Sequence, residues 1–138
     1  MYANRIALSF EAGHRLLNYR GKCEAPHGHT FQAEIFLSSD KISEMGFLVD
    51  FVELKARLGE WIDDNWDHGF LANDQDEELI GALESLKERK LFVFQGQNPT
   101  VEVMAKYLYE QVRQLYGELV SRVRIWESPS QYAEYSEG

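Results

Sequence analysis

Residues 21–37, GKCEAPHGHTFQAEIFL, decide how the rest of the chain is read. From His27 onward the side chains alternate: His27, His29, Phe31, Ala33, Ile35 and Leu37 share one side, and Thr30, Gln32, Glu34 and Ser38 the other. A period of two is the signature of a half-buried strand. Residues 4–14, NRIALSFEAGH, repeat the pattern, with Ile6, Leu8, Phe10, Ala12 and His14 on one side and Arg5, Ser9 and Glu11 on the other. The connection, residues 15–26, is short and carries glycine and charge, so the two strands pair most simply as antiparallel neighbours. The end of the first strand then lies beside the start of the second. His14, His27 and His29 point from one end of the apolar face toward a common spot.

Three converging imidazoles suit Zn²⁺, which takes neutral histidine nitrogens and, with three protein ligands, keeps a fourth position open for water or substrate. The i, i+2 pair works on a strand because both side chains leave the same face. The plainer alternative is three separate histidines, each satisfied by a backbone carbonyl. Cys23, the only cysteine, stands four residues before His27 and next to Lys22. It reads as a thiolate base or nucleophile of lowered pKa, as a fourth ligand closing a structural zinc site, or as a small buried hydrophobe.

Asp67 and His68 follow the end of a helical stretch. A carboxylate beside an imidazole fixes a tautomer and holds a proton-transfer group ready, although the helix dipole alone would favour a histidine there. Glu127 shares a face with Val123 and Ile125, so a carboxylate ends an apolar stripe. It either faces water or grips a heterocycle carrying adjacent N–H donors through two hydrogen bonds.

Elsewhere the pattern is coarser. GFLVDF (46–51) reads as a short strand entering a helix, with Asp50 as N-cap and Glu53 three residues later. Phe51, Leu54, Leu58, Trp61 and Ile62 then recur at helical spacing to about Asn65. Residues 75–89 predict a second helix, acidic at its start and basic at its end. LFVF (91–94) is a strand or a buried connector. NPT (98–100) opens a helix with the stripe Val101, Ala105, Leu108, Val112 and Leu115. VRIWES (123–128) and QYAEY (131–135) close the chain as strands. Strands, helices and strands in that order predict an α+β domain spanning residues 1–138, with helices on one side of an antiparallel sheet.

The bulk numbers exclude some classes of partner. The formal charge of −9 argues against nucleic acid and against an anionic membrane surface. It leaves a small anionic substrate open, because Arg15, Arg20 and Lys22 make one corner basic. The opening residues lack the apolar core of a signal peptide, and no run approaches transmembrane length, so a reducing, cytoplasmic home is the expectation.

Taken together, FEAGHRL, CEAPHGH, GFLVDFVELK, DHGFL, NPTVEVMA and the closing WES resemble, in order, the motifs of the 6-pyruvoyl-tetrahydropterin synthase and 6-carboxytetrahydropterin synthase family. The resemblance implies zinc held by His14, His27 and His29, Cys23 as catalytic base, His68 working with Asp67, and Glu127 gripping the 2-amino-4-oxo edge of a pterin with Thr100 nearby. It implies the tunnelling fold, in which four-stranded antiparallel sheets join into a barrel around a trimer, and two trimers stack into a homo-hexamer with active sites between subunits. The implied substrate is 7,8-dihydroneopterin triphosphate, and the implied product is 6-carboxy-5,6,7,8-tetrahydropterin, formed with loss of acetaldehyde and triphosphate on the way to queuosine-type deazapurines. Glu24, directly after Cys23, resembles members that cleave the side chain to 6-hydroxymethyl-7,8-dihydropterin for folate synthesis. That product, the 6-pyruvoyl product and a non-catalytic zinc protein stand as alternatives, and Glu24 reads equally as a solvated loop carboxylate. The stretch 72–97 is longer than the family pattern leads one to expect.

Overall fold

The computed structural model describes the backbone of all 138 residues and every side chain except that of Cys23. The two alternating stretches form a long hairpin, β1 (Tyr2–His14) and β2 (His27–Ser39). Its antiparallel register runs from Tyr2 opposite Ser39 to His14 opposite His27. β5 (Val120–Ser128) pairs antiparallel with β2, and β6 (Gln131–Tyr135) with β5.

The sheet does not end there. Two short strands, β3 (Gly69–Asn73) and β4 (Leu91–Phe94), extend it in parallel from the free edge of β1, giving the order β4-β3-β1-β2-β5-β6. The expected four-stranded antiparallel sheet is thus corrected to a mixed, six-stranded one. β3 escapes a period-two reading because Leu71, Ala72 and Asn73 are all buried, as in parallel strands covered on both faces.

Two helices, α1 (Phe51–Asn65) and α3 (Val101–Tyr116), cover one face of the sheet. Leu54, Leu58 and Ile62 of α1 and Met104, Ala105, Leu108, Tyr109 and Val112 of α3 close on Ile6, Phe10, Phe31, Ala33, Ile35, Leu37, Val123 and Ile125. Leu115 is exposed and does not belong to that stripe. Asp50 caps α1 by accepting from the Val52 N–H. The strand expected over 46–51 is absent: Ser43 and Phe47 close a turn with Gly46 at φ 91°, which spends the backbone groups a strand would need.

The helix expected over 75–89 is shorter, α2 (Glu77–Glu84), so Lys87 and Arg89 lie beyond it. Its last turn is diverted where the Ser85 hydroxyl donates to the Ala82 carbonyl at 2.6 Å, a local bond that competes with helix continuation. Among the described residues no helix is long and apolar enough to cross a membrane.

Candidate active site

The hairpin register builds the site. His14 stands opposite His27 at the open end of β1 and β2, and His29 lies two residues further along the same face. The three rings meet edge to face, with centroids 4.7, 4.9 and 5.1 Å apart. One nitrogen from each lies within 4.8 Å of the others, a set that could hold a metal ion.

The second ring nitrogens decide the tautomers. His14 Nδ1 lies 2.8 Å from the Pro99 carbonyl and His27 Nδ1 2.8 Å from the Ala25 carbonyl. A carbonyl only accepts, so each Nδ1 carries the proton and each Nε2 keeps a lone pair. The Nε2 atoms of His14 and His29 are buried and have no hydrogen-bond partner among the described residues. Buried polar atoms are rarely left unsatisfied, and imidazoles oriented from behind by backbone carbonyls are the ordinary arrangement of metal ligands.

Protonation follows the same logic. Burial, opposed by the bond to Pro99 and reinforced by the neighbouring His27 and His29, pushes His14 below its ordinary value. Burial also lowers His29, against the pull of Glu127. Both are therefore neutral at pH 7, the form that binds metal.

Beside the trio opens a cleft of about 340 Å³ lined by His14, Tyr19, Thr100, Glu127, Gln131 and Tyr132, among others. Glu127 Oε1 lies 4.0 Å from His29 Nε2 and accepts from the Gln131 side-chain amide at 3.0 Å. Gln131 went unremarked in the sequence; its only signal is the tight β5–β6 turn that folds position 131 back onto 127. Thr100 is the N-cap of α3, its hydroxyl oxygen accepting from the Val103 N–H at 3.2 Å. The hydroxyl proton stays free for a ligand.

Asp67 and His68 form a pair, His68 Nδ1 lying 2.9 Å from Asp67 Oδ2. Asp67 Oδ1 accepts from the Glu11 N–H at 2.9 Å, and the Lys90 ammonium binds the Asp67 carbonyl at 2.6 Å. Burial raises the Asp67 carboxyl, but the Glu11 and His68 bonds outweigh it and hold it below its usual value. His68 has φ 58°, unusual for a residue with a Cβ. It lines a shallow hollow with Glu11, Gly13, Gly28, His29 and Thr30; that hollow shares no residue with the Glu127 cleft.

Glu24 is exposed in a single 3-10 turn, Lys22–Glu24, and lines a different hollow, with Arg15, Leu17 and Asp76. The side chain of Cys23 lies outside the described residues.

Comparison with known proteins gives the class first. The fold matches that of 6-pyruvoyl tetrahydropterin synthase from Caenorhabditis elegans over 99% of this chain and 96% of the other, with TM-score 0.74 and 20% identity. Curated 6-carboxy-5,6,7,8-tetrahydropterin synthases are similar in sequence: that of Rickettsia felis is 30% identical, covering 92% of this chain and 94% of its own, and that of Aquifex aeolicus 33% identical, covering 93% of each. The protein is a lyase-type enzyme, a pterin synthase. A model of the 6-pyruvoyl tetrahydropterin synthase family matches residues 5–138, and the chain belongs to that family.

Proposed function

We propose that the protein converts 7,8-dihydroneopterin triphosphate and one water to 6-carboxy-5,6,7,8-tetrahydropterin, releasing acetaldehyde and triphosphate, with Zn²⁺ on His14, His27 and His29. The observation that carries the reading is the pair of buried Nε2 atoms, on His14 and His29, without a hydrogen-bond partner among the described residues, beside a cleft that also holds Glu127 and Thr100. The curated relatives' names supply the product class.

The residues divide the work. Glu127, with one oxygen steadied by Gln131, accepts from the 2-amino and ring N–H groups of the pterin. Thr100 donates its free hydroxyl proton to the same edge. Zinc, when bound, supplies Lewis-acid stabilisation of oxygen charge on the substrate's side chain.

Cys23 is the base that removes a proton next to the ring. His68, with Nδ1–H anchored on Asp67, presents its exposed Nε2 to take or return the second proton. The His68 hollow touches His29 but shares no residue with the Glu127 cleft, so a neighbouring copy of the chain brings its own Asp67–His68 pair to that cleft. This is the role we assign to a hexamer of stacked trimers. Glu24 lies outside the cleft, which favours the carboxy product over the folate-type one. A cytoplasmic setting in queuosine-type synthesis fits the single, catalytic thiol.

Incubation of the zinc-loaded protein with dihydroneopterin triphosphate, followed by mass spectrometry, tests this. Acetaldehyde, triphosphate and the 6-carboxy product are expected in equal amounts. Glycolaldehyde with a 6-hydroxymethyl product would instead establish the folate-type reaction, and no turnover would leave a non-catalytic zinc protein.

A further inference from the structure

The imidazole that is most buried in the trio, His14, is held from behind by a loop more than eighty residues later in the chain. Its Nδ1–H donates to the Pro99 carbonyl at 2.8 Å. Among the described residues that carbonyl accepts no other hydrogen bond, but the residue before it is tightly bound. The Asn98 side chain spans the backbone of Leu17: its Oδ1 accepts from the Leu17 N–H at 2.9 Å, and its Nδ2 donates to the Leu17 carbonyl at 3.0 Å. Oδ1 also accepts from the Asn73 side-chain amide at 3.1 Å. One N–H and one carbonyl on the same residue fix which end of the Asn98 amide is oxygen.

The consequence is geometric. Leu17 is three residues after His14, and Asn98 directly precedes Pro99. A two-point clamp between Leu17 and Asn98 therefore sets the spacing between the end of β1 and the Pro99 carbonyl. Pro99 adds stiffness, since its ring fixes φ and it has no N–H to compete for the bond. The same loop ends at Thr100, the N-cap of α3, so the strand carrying His14 and the helix start beside the cleft are tied at one point.

We propose that Asn98 is a positioning residue for the metal centre: by clamping the Leu17 backbone it aims the Pro99 carbonyl at His14 Nδ1 and so holds the His14 Nε2 lone pair toward the ion. The proposal rests on reading His14 as a metal ligand, and it predicts a property of the metal-free protein as well.

The test uses the full chain. In the metal-free protein, nitrogen-15 NMR of the imidazoles is expected to show His14 as a single Nδ1–H tautomer. Asn98→Ala is expected to turn it into a mixture and to weaken Zn²⁺ binding, measured by chelator competition, about tenfold, the lower end of what loss of an outer-shell partner costs. Asn98→Asp keeps the two accepted bonds but sets a carboxylate oxygen against the Leu17 carbonyl where an N–H donated, so it should disturb both readouts at least as much. Asn4→Ala, which removes a side-chain bond to the Val49 carbonyl at the far end of β1, should move neither readout.

A folded Asn98→Ala with an unmixed His14 tautomer and zinc affinity within twofold of the natural chain overturns the proposal; should that variant not fold, Asn98→Asp is judged by the same criterion. A natural chain that fails to bind Zn²⁺ defeats the metal reading instead, and the tautomer then decides for or against Asn98.

Discussion

Arg15 and Asp76 lock together: the guanidinium Nε and Nη2 reach the two oxygens of one carboxylate at 2.6 and 2.5 Å. Asp76 is only 2% exposed and also caps α2 through the Leu79 N–H. The bond couples the residue after His14 to the segment between the Asp67–His68 motif and the α3 loop. That segment is no loose extension, because β3 and β4 complete the sheet and Asp76, the N-cap of α2, anchors the strand end that carries the site. Arg15→Ala leaves a buried carboxylate uncompensated and should lower unfolding free energy by about 3 kcal/mol in urea titration.

Glu34 gives the pH prediction. It lies on the solvent side of β2, yet it is 4% exposed, with its carboxylate bound by Arg5 and by the Trp126 indole N–H. Burial alone would raise its pKa; the Trp126 and Arg5 bonds outweigh burial and hold it below the ordinary 4.5. The folded state thus binds this proton less readily than the unfolded chain, so its stabilisation is whole above about pH 4.5 and is lost as pH falls through the lower folded value. Glu34→Gln should cost about 1–3 kcal/mol at pH 7. The difference from the natural chain should narrow as pH falls below about 4.5. A gap constant from pH 7 to 3 would contradict this.

His29→Ala should weaken Zn²⁺ binding at least about a hundredfold by chelator competition, since three-ligand sites rarely survive the loss of one ligand. Retained stoichiometric zinc would mean the ion sits elsewhere.

The separation of the Glu127 cleft from the His68 hollow makes a sharper test. His29→Ala and His68→Ala should each be inactive alone. Refolding the two together should restore a measurable fraction of activity, because some mixed sites take a sound trio from one copy and a sound His68 from the other. If the mixture stays dead, each site draws on one chain only.

Gly13 stands between Ala12 and His14 where β3 comes closest. A Cβ there would meet the Phe70 ring at 2.7 Å. Gly13→Ala should therefore destabilise by about 1–3 kcal/mol. Phe70→Leu in the same chain should recover part of the loss.

The hairpin and the direction of its three histidines were legible because alternation and chain order are local signals. The cap residue Asp50 and the centre of the α3 stripe, Ala105, Leu108 and Val112, were legible for the same reason, whereas Leu115 at its end is exposed. β3 was not, since a fully buried parallel strand shows no alternation and its partner, β1, is far away in sequence. Nor were Asn98 and Asp76, whose partners Leu17 and Arg15 lie 81 and 61 residues away, nor Gln131, which meets Glu127 only across the β5–β6 turn. The sheet's parallel extension and the separation of the His68 hollow from the Glu127 cleft are both outcomes of how distant segments pack.

One consequence follows from His14 standing directly across from His27. A slip of a single residue in that pairing would turn one imidazole to the wrong side of the sheet. Mispaired chains could then never gather three nitrogens, and a bound ion would serve as a seal certifying that the ribbon had closed correctly before any chemistry began.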